Sequence, residues 1–179
     1  MATAEIAWLL PTAADDAGMV AGLTDLINDV YAVAEDGLWA DGAARTSARE
    51  MTDLVREGEF AIASVGDRIA GCVRIQFLTD EVGEFGMLAV DPDHRGTGLG
   101  RELVRFAEHA ASETGRTTMQ LELLVPRDWT HPSKQFLATW YSRIGYAKTR
   151  IGAIEESYPQ LAPLLATTCD FVIYRKSLG

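Results

Sequence analysis

The chain has 179 residues, 47% of them apolar and 23% charged, which is the profile of one globular domain (1-179) with a sizeable core. No apolar run approaches the roughly 20 residues that cross a bilayer, and the opening MATAEIAWLLPTAADD lacks the basic start and long apolar stretch of a secretory signal. A net charge of −10 repels a phosphate backbone, which excludes nucleic acid as the default partner and favours a cationic one such as an amine.

In chain order, AEIAWLLP reads as a first strand, stopped by Pro11. From Asp15 the apolar positions Met19, Leu23, Leu26, Ile27, Val30 and Tyr31 recur at helical spacing, which predicts a helix to about Ala34. EDGLWADGAART follows as a loop. Ser47 and Glu50 have the spacing of a reciprocal capping box, and the short helix behind them carries Met51, Leu54 and Val55 before leaving at Gly58. Three strands come next, EFAIASV, RIAGCVRIQFLTD and GEFGMLAV, the first two joined by a tight turn at Gly66-Asp67.

Leu99, Leu103, Phe106, Ala107 and Ala110 form the apolar stripe of the following helix, which ends at Gly115. TTMQLELLV reads as a central strand, and HPSKQFLATWYSRI as a helix with Phe136, Leu137, Trp140, Tyr141 and Ile144 on one side. GYAKTRIGAI and TCDFVIYRKS are the last strands, with YPQLAPLL as an apolar connector. This order predicts a mixed α/β domain rather than a doubly wound one. Cys72 and Cys169 sit in apolar, strand-like runs and read as buried, inert thiols in a cytoplasmic setting. His94, His109 and His131 are too scattered for a metal site, and neither CxxC nor HExxH occurs, so no metal is expected.

VDPDHRGTGLGREL places Arg95, Gly96, Thr97, Gly98, Leu99, Gly100 and Arg101 where an apolar strand gives way to a helix. A helix start exposes unpaired N–H groups and about half a positive charge, a seat for pyrophosphate. A dinucleotide fingerprint would follow the first strand, whereas this segment follows the fourth. It also lacks the GKS/T ending of a nucleotide triphosphate loop.

Element order and motifs together resemble the GNAT-type N-acetyltransferase superfamily over nearly the whole chain. RGTGLG is similar to that family's Q/R-x-x-G-x-G/A acetyl-CoA motif, and WYSRIGY to its Y-x-x-x-G-F/Y segment. The resemblance implies a central twisted mixed sheet of about seven strands, flanked by about four helices, with two central strands splayed. It implies acetyl-CoA as acyl donor, its pyrophosphate on the glycine segment and its pantetheine arm paired with the main chain of Leu88, Ala89 and Val90. In the family an asparagine often stands seven residues before the motif tyrosine and contacts the cofactor. Here that position is Lys134, after Ser133, and a lysine there could reach a cofactor phosphate.

By the same resemblance Tyr141 is the proton donor to the departing thiolate, since a phenol with a pKa near 10 is protonated at neutral pH. Glu84 is the first candidate for the base, Glu122 the reserve, and ordered water a third possibility. The acceptor implied is a small-molecule or peptide amine, and a homodimer is the assembly in which related proteins are often found. Glu35, Asp36, Asp41, Glu155 and Glu156 would give the acceptor mouth a negative rim, with Trp39 and Tyr158 as walls. A non-catalytic acyl-CoA sensor is the alternative reading.

Overall fold

Capping chemistry fixes the first two helices in a computed structural model that describes residues 4–179. Helix α1 (Ala17–Ala34) starts where the Asp16 carboxylate accepts the amides of Gly18 and Met19 at 2.9 and 3.1 Å. Helix α2 (Ala48–Arg56) starts where Ser47 Oγ accepts the Glu50 amide at 3.2 Å. The expected return bond of the capping box is not made. The Glu50 carboxylate takes the hydroxyl of Thr46 at 2.7 Å instead.

The strands are β1 (Glu5–Trp8), β2 (Phe60–Val65), β3 (Arg68–Phe77), β4 (Val82–Val90), β5 (Thr118–Pro126), β6 (Ala147–Gly152) and β7 (Cys169–Ser177). Helix α3 (Leu99–Glu113) follows β4, α4 (Pro132–Arg143) follows β5, and a one-turn α5 (Ile154–Ser157) follows β6. The sheet order is β1-β2-β3-β4-β5-β7-β6, mixed in direction, with β4 and β5 its parallel pair. The two predicted long strands are shorter than their apolar runs. β3 ends at Phe77 because Thr79 Oγ1 accepts the amides of Glu81 and Val82 and turns the chain. β6 ends at Gly152 because Ile154 is drawn into a buried cluster with Leu124 and Phe171.

Two apolar layers clasp the sheet. Leu103, Val104 and Ala107 of α3 and Tyr141 of α4 pack with Phe85, Met119 and Leu121. Leu23 and Ile27 of α1 and Met51 and Val55 of α2 pack with Phe60, Cys72 and Met87. Cys72 and Cys169 are free and buried, and burial pushes their thiols up to about 12 and about 11.

The sheet parts at its centre. β4 and β5 pair only at Val82–Thr118, Gly83–Met119 and Glu84–Gln120. From there β4 stays with β3 and β5 with β7, so residues 85–90 and 121–126 form the arms of a V. A bulge accompanies the parting: Cys72 faces Ala89 and Arg74 faces Gly86, so Met87 and Leu88 oppose Val73 alone. Met87 takes φ +45°, outside the strand region. A bulge bends its strand, and β4 leaves β5 over this same stretch.

Candidate active site

At the end of the β4 arm, the chain turns through Asp91, whose carboxylate accepts the Asp93 amide at 2.9 Å. Thr97 Oγ1 donates to the His94 carbonyl at 2.7 Å and closes the loop before α3. Gly98 is the residue that precedes α3, at φ +90°, and Gly96 sits at φ +75°. A Cβ built on either would meet no protein atom within 4 Å, so the space above the helix start is open. Arg95 and Arg101 are exposed, and among the described residues neither has a carboxylate partner. A polyanion fits this loop: free amides, two free cations and room where side chains would stand. Leu88, Ala89 and Val90 lie on the arm that has no strand partner on its β5 side.

At the crotch of the V the paired strands deliver polar groups. Period-two alternation puts Gln120 and Glu122 on one face of β5, and Gln120 faces Glu84 across the last paired position. Gln120 Nε2 donates to Glu84 Oε2 at 2.6 Å, and Arg175 Nε donates to Gln120 Oε1 at 2.9 Å. Glu84 is buried, and that burial raises its carboxyl against the pull of the Gln120 bond and of Arg74 and Arg175. Burial, then the neighbouring charge of Glu84, pushes Glu122 up to about 7, tempered by the Tyr158 hydroxyl and Arg45.

These carboxylates line a cavity of about 90 Å³, walled by Tyr31 of α1, Trp39 and Arg45 of the α1–α2 loop, and Tyr158 beyond α5. An outer chamber of about 480 Å³ shares Tyr31, Glu35, Trp39 and Arg45 with it. Burial pushes the Tyr158 phenol up to about 12. Tyr141 stands on the opposite face of the sheet, 6.0 Å from the Phe85 ring and 5.0 Å from that of Trp140. Burial raises its phenol well above the ordinary tyrosine value, and the Tyr31 phenol adds to the effect from the other face, across the parted strands. Tyr141, expected to be protonated at neutral pH, is held in that form by burial.

Two expected site residues fall elsewhere. Lys134 is buried, and its Nζ donates to Glu35 Oε1 at 2.6 Å. A cation so enclosed and so paired is not free for a cofactor phosphate. Glu35 is correspondingly no rim group: it is 7% exposed and also accepts the Trp39 indole N–H at 2.6 Å. Glu156 is tied to Arg150, Glu155 is exposed but lines neither chamber, and Asp36 and Asp41 are the exposed acids of the outer chamber. Ser133 is half-buried, its amide donating to Nδ1 of His131 at 3.2 Å. That bond makes Nε2 the protonated nitrogen, and it donates to the Asp36 carbonyl at 3.0 Å, joining α4 to the α1–α2 loop. Arg45, Tyr31 and the Arg175–Gln120 relay were not picked out in the sequence. Their signal was a polar residue at an inward strand position for Gln120, and none for Arg45.

Among the described residues no group of three His, Cys, Asp or Glu could hold a metal ion. No helix among them is long and apolar enough to cross a membrane.

A mixed sheet parted at its centre, with an open helix start at the end of one arm and polar groups in the crotch, is a fold this chain shares with solved acetyltransferases. The acetyltransferase (GNAT) domain profile matches residues 56–148, more than half of the chain, and the chain belongs to that family. No curated protein sequence matches it significantly. Among solved structures it is similar to an aminoglycoside 6'-N-acetyltransferase complexed with coenzyme A, at TM-score 0.71 and 14% identity over 98% of this chain and 97% of that one. Ard1 from Thermoplasma volcanium aligns at TM-score 0.64 and 16% identity, covering 99% of this chain and 98% of the other. An IAA acetyltransferase from Bacillus cereus aligns at TM-score 0.64 and 16% identity, covering 98% and 99%. At these identities the likeness is one of fold.

Proposed function

We propose that the protein is an acetyl-CoA-dependent N-acetyltransferase that moves an acetyl group to a primary amine by direct attack. The observation that carries this reading is the three-residue pairing of β4 with β5, which ends at Glu84 and Gln120 and opens the sheet between an anion seat and a carboxylate-lined cavity. The coenzyme A held by the similarly folded aminoglycoside acetyltransferase supports the choice of donor. Acetyl-CoA supplies a thioester whose carbonyl carbon the amine nitrogen attacks, the C–S bond breaking and the thiolate leaving.

In this reading Arg95, Arg101 and the amides around Gly96, Gly98 and Gly100 hold the pyrophosphate, with Thr97 and Leu99 completing the turn. The main chain of Leu88, Ala89 and Val90 pairs with the pantetheine arm as a missing strand would. Ser133 remains a candidate contact from α4, whereas Lys134 supports the site by fixing Glu35. An amine bound as its ammonium must lose a proton, and Glu122, poised at about 7, accepts it at neutral pH. Glu84, fixed by Gln120, supplies the negative charge that orients the ammonium. Tyr141 keeps its proton and donates a hydrogen bond to the developing thiolate. Its raised pKa makes complete proton transfer uphill, so its contribution is stabilisation of charge rather than full protonation.

The test joins calorimetry of acetyl-CoA binding to thiol release with a panel of small amines and peptides. Binding with amine-dependent thiol release is expected. Binding without release for any amine would overturn amine transfer and leave an acyl-CoA sensor.

A further inference from the structure

The cations around the cavity carboxylates are engaged by neighbouring side chains, Arg175 by Gln120 at 2.9 Å and Arg150 by Glu156 among them. Lys134 is paired with Glu35 at 2.6 Å, and Arg74 with Glu59 at 2.5 Å. Arg45 is the exception. It lines both the inner cavity and the outer chamber, and its guanidinium carbon lies 5.3 Å from the centroid of the Tyr31 ring. Among the described residues no ion pair and no side-chain hydrogen bond uses its guanidinium. The position is nonetheless built. Asn28 of α1 clamps the next residue in both directions, Oδ1 accepting the Thr46 amide and Nδ2 donating to the Thr46 carbonyl, each at 3.0 Å. Stacking on Tyr31 then fixes the direction of the side chain.

We infer that the acceptor carries a carboxylate beside its amine, and that Arg45 binds this carboxylate at the junction of the two chambers while the amine reaches Glu84 and Glu122. The inference rests on the amine-transfer reading above. A guanidinium with no anion beside it, held in a half-buried and ring-stacked position, offers a planar fork of donors that matches a carboxylate. A single guanidinium near two carboxylates suits a monoanion better than a phosphate dianion, which Glu84 and Glu122 would repel. The charge of Arg45 reaches into the cavity, since it works against the raised values of Tyr31, Glu122 and Tyr158. An inner space of about 90 Å³ takes the amine end, and the adjoining chamber of about 480 Å³ takes the remainder of the acceptor. The substrate class is thus a small amino acid, with its amino group inward and its carboxylate at the junction.

Steady-state thiol release with matched pairs, each amino acid beside the amine left by removing its carboxylate, decides the matter. For the wild type, kcat/KM is expected to favour the amino acid by at least about tenfold, the worth of a charge-assisted pair. Arg45→Ala should cut the amino acid's kcat/KM advantage over its matched amine by about 10–100-fold, with acetyl-CoA affinity within a few-fold. Arg45→Lys should recover part of the loss, because it restores charge without the fork. Equal use of both members of each pair by the wild type would overturn the inference, with amine transfer intact. Equal losses for both members in Arg45→Ala would overturn it as well, leaving Arg45 a structural residue. Acetyl-CoA binding with no turnover of any amine or amino acid would overturn amine transfer itself, and this inference with it. A thermal-shift titration of an amino acid against wild type and Arg45→Ala reads the same contact without turnover: a shift present in the first and absent in the second is expected, and identical shifts would refute the contact.

Discussion

Replacing Glu122 by Gln separates the proton-transfer role of this carboxylate from the cost of burying it. In the folded protein its carboxyl is raised from 4.5 to about 7, burial being the larger cause and the charge of Glu84 the next. The unfolded chain therefore binds fewer protons than the native one between those values, and stability falls as pH rises through that window. At about 1.4 kcal/mol per pKa unit the ceiling is about 3 kcal/mol, and solvent screening of a partly exposed group lowers it to about 1–2 kcal/mol. Glu122→Gln removes the titration and keeps the shape. The variant should be more stable than the wild type by about 1–2 kcal/mol at pH 8 and by less than about 1 kcal/mol at pH 5. Urea unfolding at the two pH values measures this. Thiol release over the same range should lose its rise near pH 7 and fall roughly 10–100-fold, since Glu84 and water remain. A stability difference that is the same at both pH values would refute the burial argument. An unchanged pH–rate profile would remove Glu122 from proton transfer and leave it a buried carboxylate.

Tyr141→Phe keeps the ring packing against Phe85 and removes the donor. Turnover should drop at least about tenfold with acetyl-CoA affinity within a few-fold, and equal turnover would assign Tyr141 to packing alone. Arg95→Ala, at an exposed position with no carboxylate partner among the described residues, should weaken acetyl-CoA binding by several-fold to about tenfold, with the difference shrinking in high salt; calorimetry at two ionic strengths checks it. Lys134→Met leaves the buried carboxylate of Glu35 unpaired and should cost about 3–5 kcal/mol in urea unfolding. Acetyl-CoA affinity of the folded variant should stay within a few-fold, and a collapse of affinity alone would restore Lys134 to the cofactor site.

What the sequence could disclose depended on how local the governing physics was. The glycine segment, its position after the fourth strand and the apolar stripes of α1 and α3 are patterns within a dozen residues, and each was legible as such. The parting of β4 from β5 was implied only through resemblance, because the bulge that bends β4 at Met87 and Leu88 leaves no composition signal: both residues read as ordinary strand formers. Lys134 and Glu35 are 99 positions apart in sequence, and nothing in HPSKQF or VAEDGL marks them as a pair. Each alone reads as a solvent charge, so the lysine was assigned to a phosphate and the glutamate to a rim. Parity along the strands offered the better guide. Glu84, Gln120 and Glu122 are polar residues at positions where apolar neighbours run on both sides, and a polar group so placed must find a partner or a function. Gln120 found both neighbours, donating to Glu84 and accepting from Arg175. Glu122 found less, only the Tyr158 hydroxyl and the distant charge of Arg45 against burial and the charge of Glu84. The group with the poorest compensation is the one poised to change protonation near neutral pH. That is why the unfavourable residue on β5, rather than the better-satisfied one on β4, is the stronger candidate for the base.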